Sequence, residues 1–442
     1  FPASQVTQLR AALQRHGLKL DTNFAPVDAI WSDRPSLPAC PAFIHEDKYA
    51  GRSAVEKIAR ILDEVKLQGA GSLLVSDLAE VAWTLNIRSR DVNCNPVAYA
   101  FLSPEGNTLF IKEEKITPEV ADALAAANVS VAPYDTVIPF LSSLPASATV
   151  LYEGARVAAR LVDALGDRAV AGASPIPLLK AVKNSTQIAG IRNAMEKDGA
   201  ALVGAFMEIE RRLREGEGLT ELAVADILTE YRSKQDLYFD ESFETIAGYG
   251  PHGAIVHYSA TPETSSDIHP QGLLLIDSGA QYLDGTTDIT RTIALGTPTD
   301  RERHDFTLVM KGHIALATAI YPEGTRGDQL DCLAHQFLWK DGLNYLHGTG
   351  HGVGHFLNVH EGPQSIRLNT VPVTLRPGML TSNEPGLYIT GMHGIRCENL
   401  VLTVDAFTTE FGHFYRFEPM TLFPWDLSLF DTNLMTQEEI NW

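Results

Sequence analysis

Apolar and polar positions along the 442-residue chain predict two domains of different character. From Gly51 to about Ala173, the helical period of AVEKIARILDEVKLQGA is followed by apolar runs alternating with helical patterns in GSLLVSDLAEVAWTL and TLFIKEEKITPEVADALAAANVSVAPY. Alternation of this kind is typical of an α/β domain. Residues 1–40 contain only a short helical stretch and a proline-rich passage, too little for a domain. We therefore expect a linker or domain remnant over 1–40 and an α/β domain over 41–175.

The second half of the chain has a different pattern. After SPIP at 174–177, the stretch LLKAVKNSTQIAGIRNAMEKDGAALVGAFMEIERRLREG keeps helical periodicity over several turns, and shorter strand-like runs and turns follow to the end. Only His16 and His45 precede residue 180, and the other twelve histidines follow it. A second domain over 176–442 is expected to carry any chemistry that uses histidine.

Composition narrows the classes of partner and compartment. The chain has 35 basic and 55 acidic residues, a net charge of −20, which argues against nucleic acid or an anionic membrane as partner. No apolar run approaches the roughly 20 residues of a membrane span. The four cysteines form no CxxC pair, so a reducing, cytoplasmic compartment is expected. The chain opens on Phe1-Pro2, and we expect a trimmed start.

Two acids flank a possible hairpin in GLLLIDSGAQYLDGTTDITRTIAL, residues 272–295. Leu273–Ile276 is a continuous apolar run, as in a strand buried on both faces, and it leads into Asp277. Asp288 faces Asp277 only if the turn centres between residues 282 and 283. The visible turn signal, Asp284-Gly285, would separate the two acids by roughly 13 Å along the strand. Pairing of the acids is therefore predicted to require a wider loop or a bulge.

A second pair of acids lies in SNEPGLYITGMHGIRCENLVLTV, residues 382–404. The midpoint between Glu384 and Glu398 is Gly391, and a hairpin turning there sets the two carboxylates opposite each other, about 5 Å apart at Cβ. Facing carboxylates repel, and a metal cation relieves the repulsion. One such pair is more often a solvated feature of a hairpin. Two pairs balance two divalent cations about 3.5–4 Å apart, and oxygen ligands with little imidazole suit Mn²⁺, Co²⁺ or Fe²⁺.

Between these pairs lies HGTGHGVGHFLNVHEGP, residues 347–363, with four histidines and five glycines. It is too rich in glycine for a helix, and it could be a zinc motif, a phosphate loop or one edge of a larger metal site. No Lys follows its glycines as in a phosphate loop, and no HExxH pattern is present. The third interpretation, a metal site with ligands elsewhere in the chain, is favoured.

These stretches carry a family resemblance. GAIVHYSA, DSGAQYLDGTTDITRT, HGTGHGVGHFLNVHEGP, NEPGLY and GIRCEN occur in the order found in the creatinase/prolidase/methionine-aminopeptidase metallopeptidases, and most resemble the three-domain Xaa-Pro aminopeptidases (aminopeptidase P). They cover the second half of the chain. LAEVAWTLNIRSRDVNCNPVAYAF resembles the middle domain of that family. The resemblance implies a creatinase N-terminal-like α/β domain followed by an α+β catalytic domain of the pita-bread fold.

The resemblance also implies two divalent metal ions, with Mn²⁺ expected first and Co²⁺ or Zn²⁺ as alternatives. The implied ligands are Asp277, Asp288, His351, Glu384 and Glu398. Asp288 and Glu398 would bridge the ions, Asp277 would complete one site, and His351 with Glu384 would complete the other. In the family's mechanism, a hydroxide bridging the metals attacks the carbonyl that precedes proline.

Further roles follow from the same resemblance. Glu384 would take a proton from the water and pass it to the leaving proline nitrogen. His360 would donate to the oxyanion, His257 would steady the substrate backbone or leaving group, and His347 would line the proline pocket. Arg396 is expected to hold a bridging carboxylate from behind, and its alternative is a surface ion pair.

The chain also departs from the family pattern. Arg88 is a candidate for substrate binding, but the Gly that commonly follows this Arg is Ser89 here. His355 matches no functional position and is interpreted as a packing or surface histidine. Most of the family's first domain is missing and the end is short, so truncation at both ends is expected.

The implied activity is cleavage of the N-terminal Xaa-Pro bond of proline-containing peptides, by a homodimer. Two alternatives remain. One is a prolidase, which cuts only Xaa-Pro dipeptides, although the nine-residue step from His351 to His360 resembles the aminopeptidase more. The other is a metal-free protein of the same fold. Such relatives lack some of the five ligands, whereas all five positions are filled here.

Overall fold

A mixed six-stranded sheet organises the first unit, Phe1–Lys180, of the computed structural model, which describes residues 1–22 and 26–442. The strands of this unit are β1 (Phe43–Ile44), β2 (Ser72–Val75), β3 (Ile87–Arg88), β4 (Ala98–Leu102), β5 (Asn107–Ile111), β6 (Val129–Pro133), β7 (Val150–Tyr152) and β8 (Ala169–Ala171). Its helices are α1 (Ala3–Gln14), α2 (Pro26–Ile30), α3 (Asp47–Ala50), α4 (Ala54–Leu67), α5 (Leu78–Leu85), α6 (Pro118–Ala126), α7 (Val137–Ser143), α8 (Ala159–Leu165) and α9 (Ile176–Ala181). The order β6-β5-β4-β2-β7-β8, with α4, α5 and α6 packed on these strands, confirms the predicted α/β class.

Helix α1 lies against α8 in this unit. The backbone N–H of Ala3 donates to the carbonyl of Val157 at 2.9 Å, and the guanidinium of Arg10 pairs with Asp163 at 2.8 Å. Part of the stretch expected to be a remnant therefore packs on the α/β domain. The domain bounds at residues 40 and 175 stay a prediction, while the structure divides the chain between Lys180 and Ala181.

The second unit, Ala181–Trp442, is an α+β structure in which a pair of helices precedes antiparallel strands twice. Its helices are α10 (Ser185–Glu215), α11 (Glu221–Arg232), α12 (Asp300–Ala317), α13 (Gly327–Lys340) and α14 (Gln437–Asn441). Its strands are β9 (Tyr238–Glu241), β10 (Ile246–Tyr249), β11 (Leu273–Ser278), β12 (Ala280–Tyr282), β13 (Gly285–Thr286), β14 (Ile289–Ala294), β15 (Ile320–Pro322), β16 (Gly350–Gly352), β17 (Glu361–Ile366), β18 (Leu380–Asn383), β19 (Gly386–Ile389), β20 (His393–Arg396), β21 (Asn399–Thr409) and β22 (Gly412–Pro419). Helices α10 and α11 pack on the strands of the first half, and α12 and α13 on those of the second.

The ends of the long helix α10 follow from local chemistry. A reciprocal cap between Asn184 and Gln187 starts it, and the left-handed Gly216, at φ 72°, ends it. The predicted helical periodicity over this stretch is confirmed.

Strand β11 is the buried centre of the sheet β10-β11-β14, and all six of its residues are buried. This confirms the interpretation of the apolar run at Leu273–Ile276 as a strand covered on both faces. The largest sheet of the unit has the order β15-β22-β21-β18-β16-β17. Within the part of the chain that the structure describes, no helix combines the length and apolar character needed to cross a membrane.

Candidate metal centre

The first acid pair is set by the hairpin that joins β11 to β14. In that ladder Asp277 lies opposite Thr290, and β12 and β13 continue the same register to a two-residue turn of Leu283 and Asp284. Asp288 is therefore two positions away from direct opposition to Asp277. The hairpin contains neither the wider loop nor the bulge that direct pairing was predicted to require, and the acids are diagonal neighbours, a relation that places residues about 7–8 Å apart, instead of a facing pair.

The second acid pair lies where a hairpin ladder is interrupted, between β18 and β19 on one side and between β20 and β21 on the other. Asn383 pairs with Asn399 before the break and Gly386 with Arg396 after it, in one common register. Glu384 thus lies opposite Glu398. The turn lies around Gly391, whose φ is +78°. The predicted hairpin and its facing glutamates are confirmed.

His351 reaches the acids from the neighbouring strand β16. Its backbone N–H donates to Ser382 Oγ at 2.9 Å, and its Nδ1–H donates to the carbonyl of Gly352 at 3.0 Å. Nε2 is left as the nitrogen that faces the acids, 3.4 Å from Asp288 Oδ2 and 3.4 Å from Glu384 Oε1. Fixing the ring through its other nitrogen is typical of metal-binding histidines.

Donor atoms of Asp288, His351 and Glu398 all lie within 4.8 Å of one another. Two buried carboxylate oxygens, Asp277 Oδ1 and Glu398 Oε1, have no hydrogen-bond partner among the described residues. Buried polar atoms are rarely left unpaired, so these oxygens fit the ligands of a cation. The donor set, four carboxylates and one imidazole, suits two hard or borderline divalent ions.

The charges of this acidic cluster (Asp277, Asp288, Glu384 and Glu398) need compensation. Burial raises the pKa of Glu384 to about 7 and that of Asp288 to about 6. The charge of Asp277 contributes to both pKa shifts, and the charge of Asp288 contributes to that of Glu384. Burial and the charge of Asp288 raise the pKa of Glu398 well above its usual range. Divalent cations would favour the ionised form of all these groups.

The second carboxylate oxygens of Asp277 and Glu398 accept hydrogen bonds from side chains on β20 and β14. Arg396 Nη2 donates to Asp277 Oδ2 at 2.5 Å, and Thr290 Oγ1 donates to Glu398 Oε2 at 2.7 Å. Arg396 Nε donates to Thr290 Oγ1 at 3.2 Å, so Arg396 contacts Asp277 directly and the expected bridging carboxylate Glu398 only through Thr290. Sequence reasoning missed Thr290, because only the register of β11 and β14 brings it to the acids.

His347 is fixed at both ring nitrogens. Its Nδ1–H donates to the carbonyl of Gly348 at 2.8 Å, and Tyr388 Oη lies 2.9 Å from Nε2. Because Arg396 Nη1 donates to Tyr388 Oη at 2.8 Å, the phenol hydrogen is available for Nε2. Burial lowers the pKa of His347 to about 4, so the ring is neutral. Tyr388 ends the NEPGLY stretch, but no role was predicted for it.

His360 and His257 lie on the exposed side of the centre. The ring of His360 meets that of His351 edge-on, with centroids 4.1 Å apart. Desolvation, together with the charges of His351 and His257, lowers the pKa of His360 to about 4. The charge of His257 also lowers the pKa of His347. His257 is therefore close enough to act electrostatically on both His347 and His360.

Arg88 belongs to the first unit and has a different setting. Its side chain is buried, and its Nη1 donates to the carbonyls of Ala82 and Ile87 at 2.9 Å each. Its Nη2 lies 3.3 Å from His45 Nδ1. A role of Arg88 in substrate binding stays a prediction. His355, in the second unit, is buried.

Close packing explains a glycine next to His351. A Cβ on Gly350 would lie 2.0 Å from the carbonyl oxygen of Ser382 on β18, whereas a Cβ on Gly348 would meet its nearest atom at 3.4 Å. We expect Gly350→Ala to push β16 away from β18 and weaken Mn²⁺ binding by at least about tenfold, as loss of ligand support does. Gly348→Ala is the matched control and should change Mn²⁺ affinity little. Equal Mn²⁺ affinities of the two variants by titration calorimetry would contradict this expectation.

Comparison with known proteins agrees with this geometry. Residues 189–405 match the model of metallopeptidase family M24, and residues 33–187 match the creatinase/prolidase N-terminal domain. Aminopeptidase P2 of Arabidopsis thaliana is 40% identical over 482 residues, covering 100% of this chain and 68% of the relative. A probable Xaa-Pro aminopeptidase P of Laccaria bicolor is 43% identical over 432 residues, covering 94% of this chain and 67% of the relative. The chain thus spans about two thirds of these relatives.

Solved structures give the same assignment. The X-prolyl aminopeptidase of Caenorhabditis elegans, described as a cytosolic enzyme with a di-nuclear active site, superposes with a TM-score of 0.94 at 33% identity, over 100% of this chain and 74% of that one. The Xaa-Pro dipeptidase of Bacillus anthracis shares the fold, with a TM-score of 0.69 at 21% identity, over 85% of this chain and 99% of that one. The chain belongs to metallopeptidase family M24, among relatives of the Xaa-Pro aminopeptidase P type, with a creatinase N-terminal domain ahead of a pita-bread catalytic domain.

Proposed function

We propose that this chain removes the N-terminal residue from peptides whose second residue is proline. One observation carries the proposal. Four carboxylates and the Nε2 of His351, from remote parts of the sequence, meet in one acidic cluster. The three candidate substrate histidines are exposed or half-buried. The names of the relatives supply the substrate class, proline-containing peptides.

Two divalent ions, with Mn²⁺ as our first choice, fit the acidic cluster and His351. Asp288 and Glu398 would contact both ions, Asp277 would complete one site, and His351 with Glu384 the other. When bound, the ions supply activation of a shared water as nucleophile and polarisation of the scissile carbonyl. Arg396 and Thr290 hold the oxygens of Asp277 and Glu398, so these carboxylates are already oriented.

Glu384 is the carboxylate we assign to proton transfer. Its side chain is 17% exposed, against 12% for Asp277 and 5% for Asp288, so it is the most accessible of these three. Ser382 Oγ donates to its Oε1 at 3.0 Å and fixes the direction of the carboxylate. A carboxylate held at the edge of the cluster can take a proton from water and deliver it to the leaving nitrogen.

The histidines divide the recognition of substrate. Both nitrogens of His347 are bonded within the protein, so the ring offers substrate an apolar face suited to proline. His360 is neutral at physiological pH and can donate an N–H to the developing oxyanion, while His257 steadies the backbone or the leaving group. Such a pocket would recognise the shape of the proline ring, because proline has a fixed φ and its backbone nitrogen has no hydrogen to donate.

A peptide series tests this function. With Mn²⁺ present, we expect Arg-Pro-Pro to be cleaved between Arg and Pro at least about tenfold faster than the dipeptide Arg-Pro, a difference of about 1.4 kcal/mol in transition-state binding. Arg-Ala-Ala is the matched control for proline and should not be cleaved. Product analysis by mass spectrometry gives the rates.

The competing functions are outcomes of the same assay. Faster cleavage of Arg-Pro than of Arg-Pro-Pro would make the chain a prolidase, which the shared fold of the Bacillus anthracis dipeptidase keeps as the second candidate. If the chain binds the tripeptide but does not cleave it with any added divalent ion, it is a metal-free binding protein. We further propose that the protein is cytoplasmic, as the Caenorhabditis elegans relative is described to be, and that it forms a homodimer. Light scattering of the purified protein tests the dimer.

A further inference from the structure

A buried histidine outside the metal centre contacts both strands that carry the facing glutamates. His313 lies on α12 and is fully buried. Its ring packs edge-on against Trp425, with centroids 5.1 Å apart, and against Trp442, at 5.7 Å. Sequence reasoning assigned it no role.

The hydrogen bonds of His313 have an unusual distribution. Nδ1 lies 3.1 Å from the carbonyl oxygen of Asn383 and 3.1 Å from that of Cys397. Both partners are acceptors, so the ring carries its hydrogen on Nδ1 and shares it between the two carbonyls. Asn383 Nδ2 donates in return to the carbonyl of His313 at 2.9 Å. Nε2 has no hydrogen-bond partner among the described residues.

The two carbonyls occupy equivalent places in the hairpin. Asn383 directly precedes Glu384 and Cys397 directly precedes Glu398, where β18 gives way to β19 and β20 to β21. Each carbonyl belongs to the peptide group whose N–H is that of the following glutamate. The N–H of Glu384 donates to the backbone carbonyl of Thr349 at 2.8 Å, and the N–H of Glu398 donates to the backbone carbonyl of Thr290 at 3.3 Å. Both peptide groups are therefore held from both sides at the point where the ladder is broken.

We propose that His313 is a positioning residue that sets the spacing of Glu384 and Glu398 by binding the two preceding peptide groups with one N–H. The inference rests on the proposed function, because the spacing matters only if the glutamates bind metal together. Burial and the charge of Arg291 lower the pKa of His313 to about 3, so the ring is neutral at physiological pH and the hydrogen on Nδ1 is its single N–H.

Two substitutions separate the hydrogen bond from ring packing. His313→Phe keeps the ring between Trp425 and Trp442 and removes the N–H. His313→Asn loses the ring, but its amide N–H can lie where Nδ1 lies. Metal-free protein titrated with Mn²⁺ and followed by electron paramagnetic resonance should show affinity weakened about 10–100-fold in His313→Phe, the range for lost ligand support. His313→Asn should stay within about threefold of wild type.

His393→Phe is the matched control. His393 is also buried in this unit, and its Nε2 bonds Asp305 of the same helix α12 at 3.0 Å, but it pairs with Ile389 near the turn of the hairpin. The control should lower the melting temperature and leave Mn²⁺ affinity unchanged. Circular dichroism and melting of the metal-free proteins check that each variant is folded.

The outcomes are distinguishable. Wild-type Mn²⁺ affinity in His313→Phe, or weaker binding in His313→Asn than in His313→Phe, overturns the inference. If His313→Phe does not fold, His313→Gln replaces it, because the amide of Gln reaches the Nε2 position and should fail where Asn succeeds. If wild-type protein itself binds no divalent ion, the proposed function fails first.

Discussion

Replacing Glu384 with Gln is expected to lower kcat by about 10²–10⁴-fold, the range for loss of a general base or acid. The amide keeps the size of the side chain and can still accept from Ser382, but it cannot take a proton from water. Affinity for the substrate should remain within a few-fold of wild type, because the histidines proposed to contact substrate are unchanged. Steady-state rates on Arg-Pro-Pro and binding of the tripeptide to the variant measure the two effects.

The control for this variant is Glu439→Gln. The side chain of Glu439 has a similar exposure, 13%, and pairs with Lys311 at 2.6 Å away from the acidic cluster. It should retain wild-type turnover. Because Glu384 is also an expected ligand, the metal content of both variants must be measured with the rates. A Glu384→Gln protein that holds both metals and keeps more than a tenth of wild-type activity would refute the proton-transfer role.

The glutamate pair could be predicted from sequence because one glycine fixes its geometry. Gly391 is the midpoint of Glu384 and Glu398, and a hairpin that turns there allows only one register. The aspartate pair could not be predicted in this way. Its turn, Leu283-Asp284, lies one residue before the Asp-Gly signal, and that shift moves the register by two positions.

The residues that hydrogen-bond to the expected metal ligands could not be predicted from the sequence for a different reason. Thr290 and Tyr388 lie inside the stretches DSGAQYLDGTTDITRT and NEPGLY, but nothing in the local pattern assigns a contact to them or to Ser382. They contact the ligands only because antiparallel strands place distant residues side by side. His313 is further removed, since its acceptors lie 70 and 84 residues along the chain. The family resemblance indicated the expected ligands, whereas these supporting contacts required the fold.

Removing the metals is expected to abolish activity and to destabilise the second unit. Treatment with EDTA leaves four carboxylates in one buried cluster, where burial and mutual repulsion oppose ionisation. Added Mn²⁺ or Co²⁺ should restore activity best. Each ion that binds only the folded state adds about 2.7 kcal/mol at a concentration of 100 times its Kd. Melting curves and activity across a Mn²⁺ titration should therefore rise together.

Asp288→Asn makes this prediction sharper, because it removes charge without changing size. Without metal, we expect this variant to melt above metal-free wild type, since one repelling carboxylate is gone. With saturating Mn²⁺ the order should reverse, since Asp288 is an expected ligand of both ions. Metal analysis should find two ions per wild-type chain and fewer in the variant. If no divalent ion revives the stripped enzyme, the metal mechanism is wrong; if the melting order does not reverse, the carboxylates are held together by the fold alone.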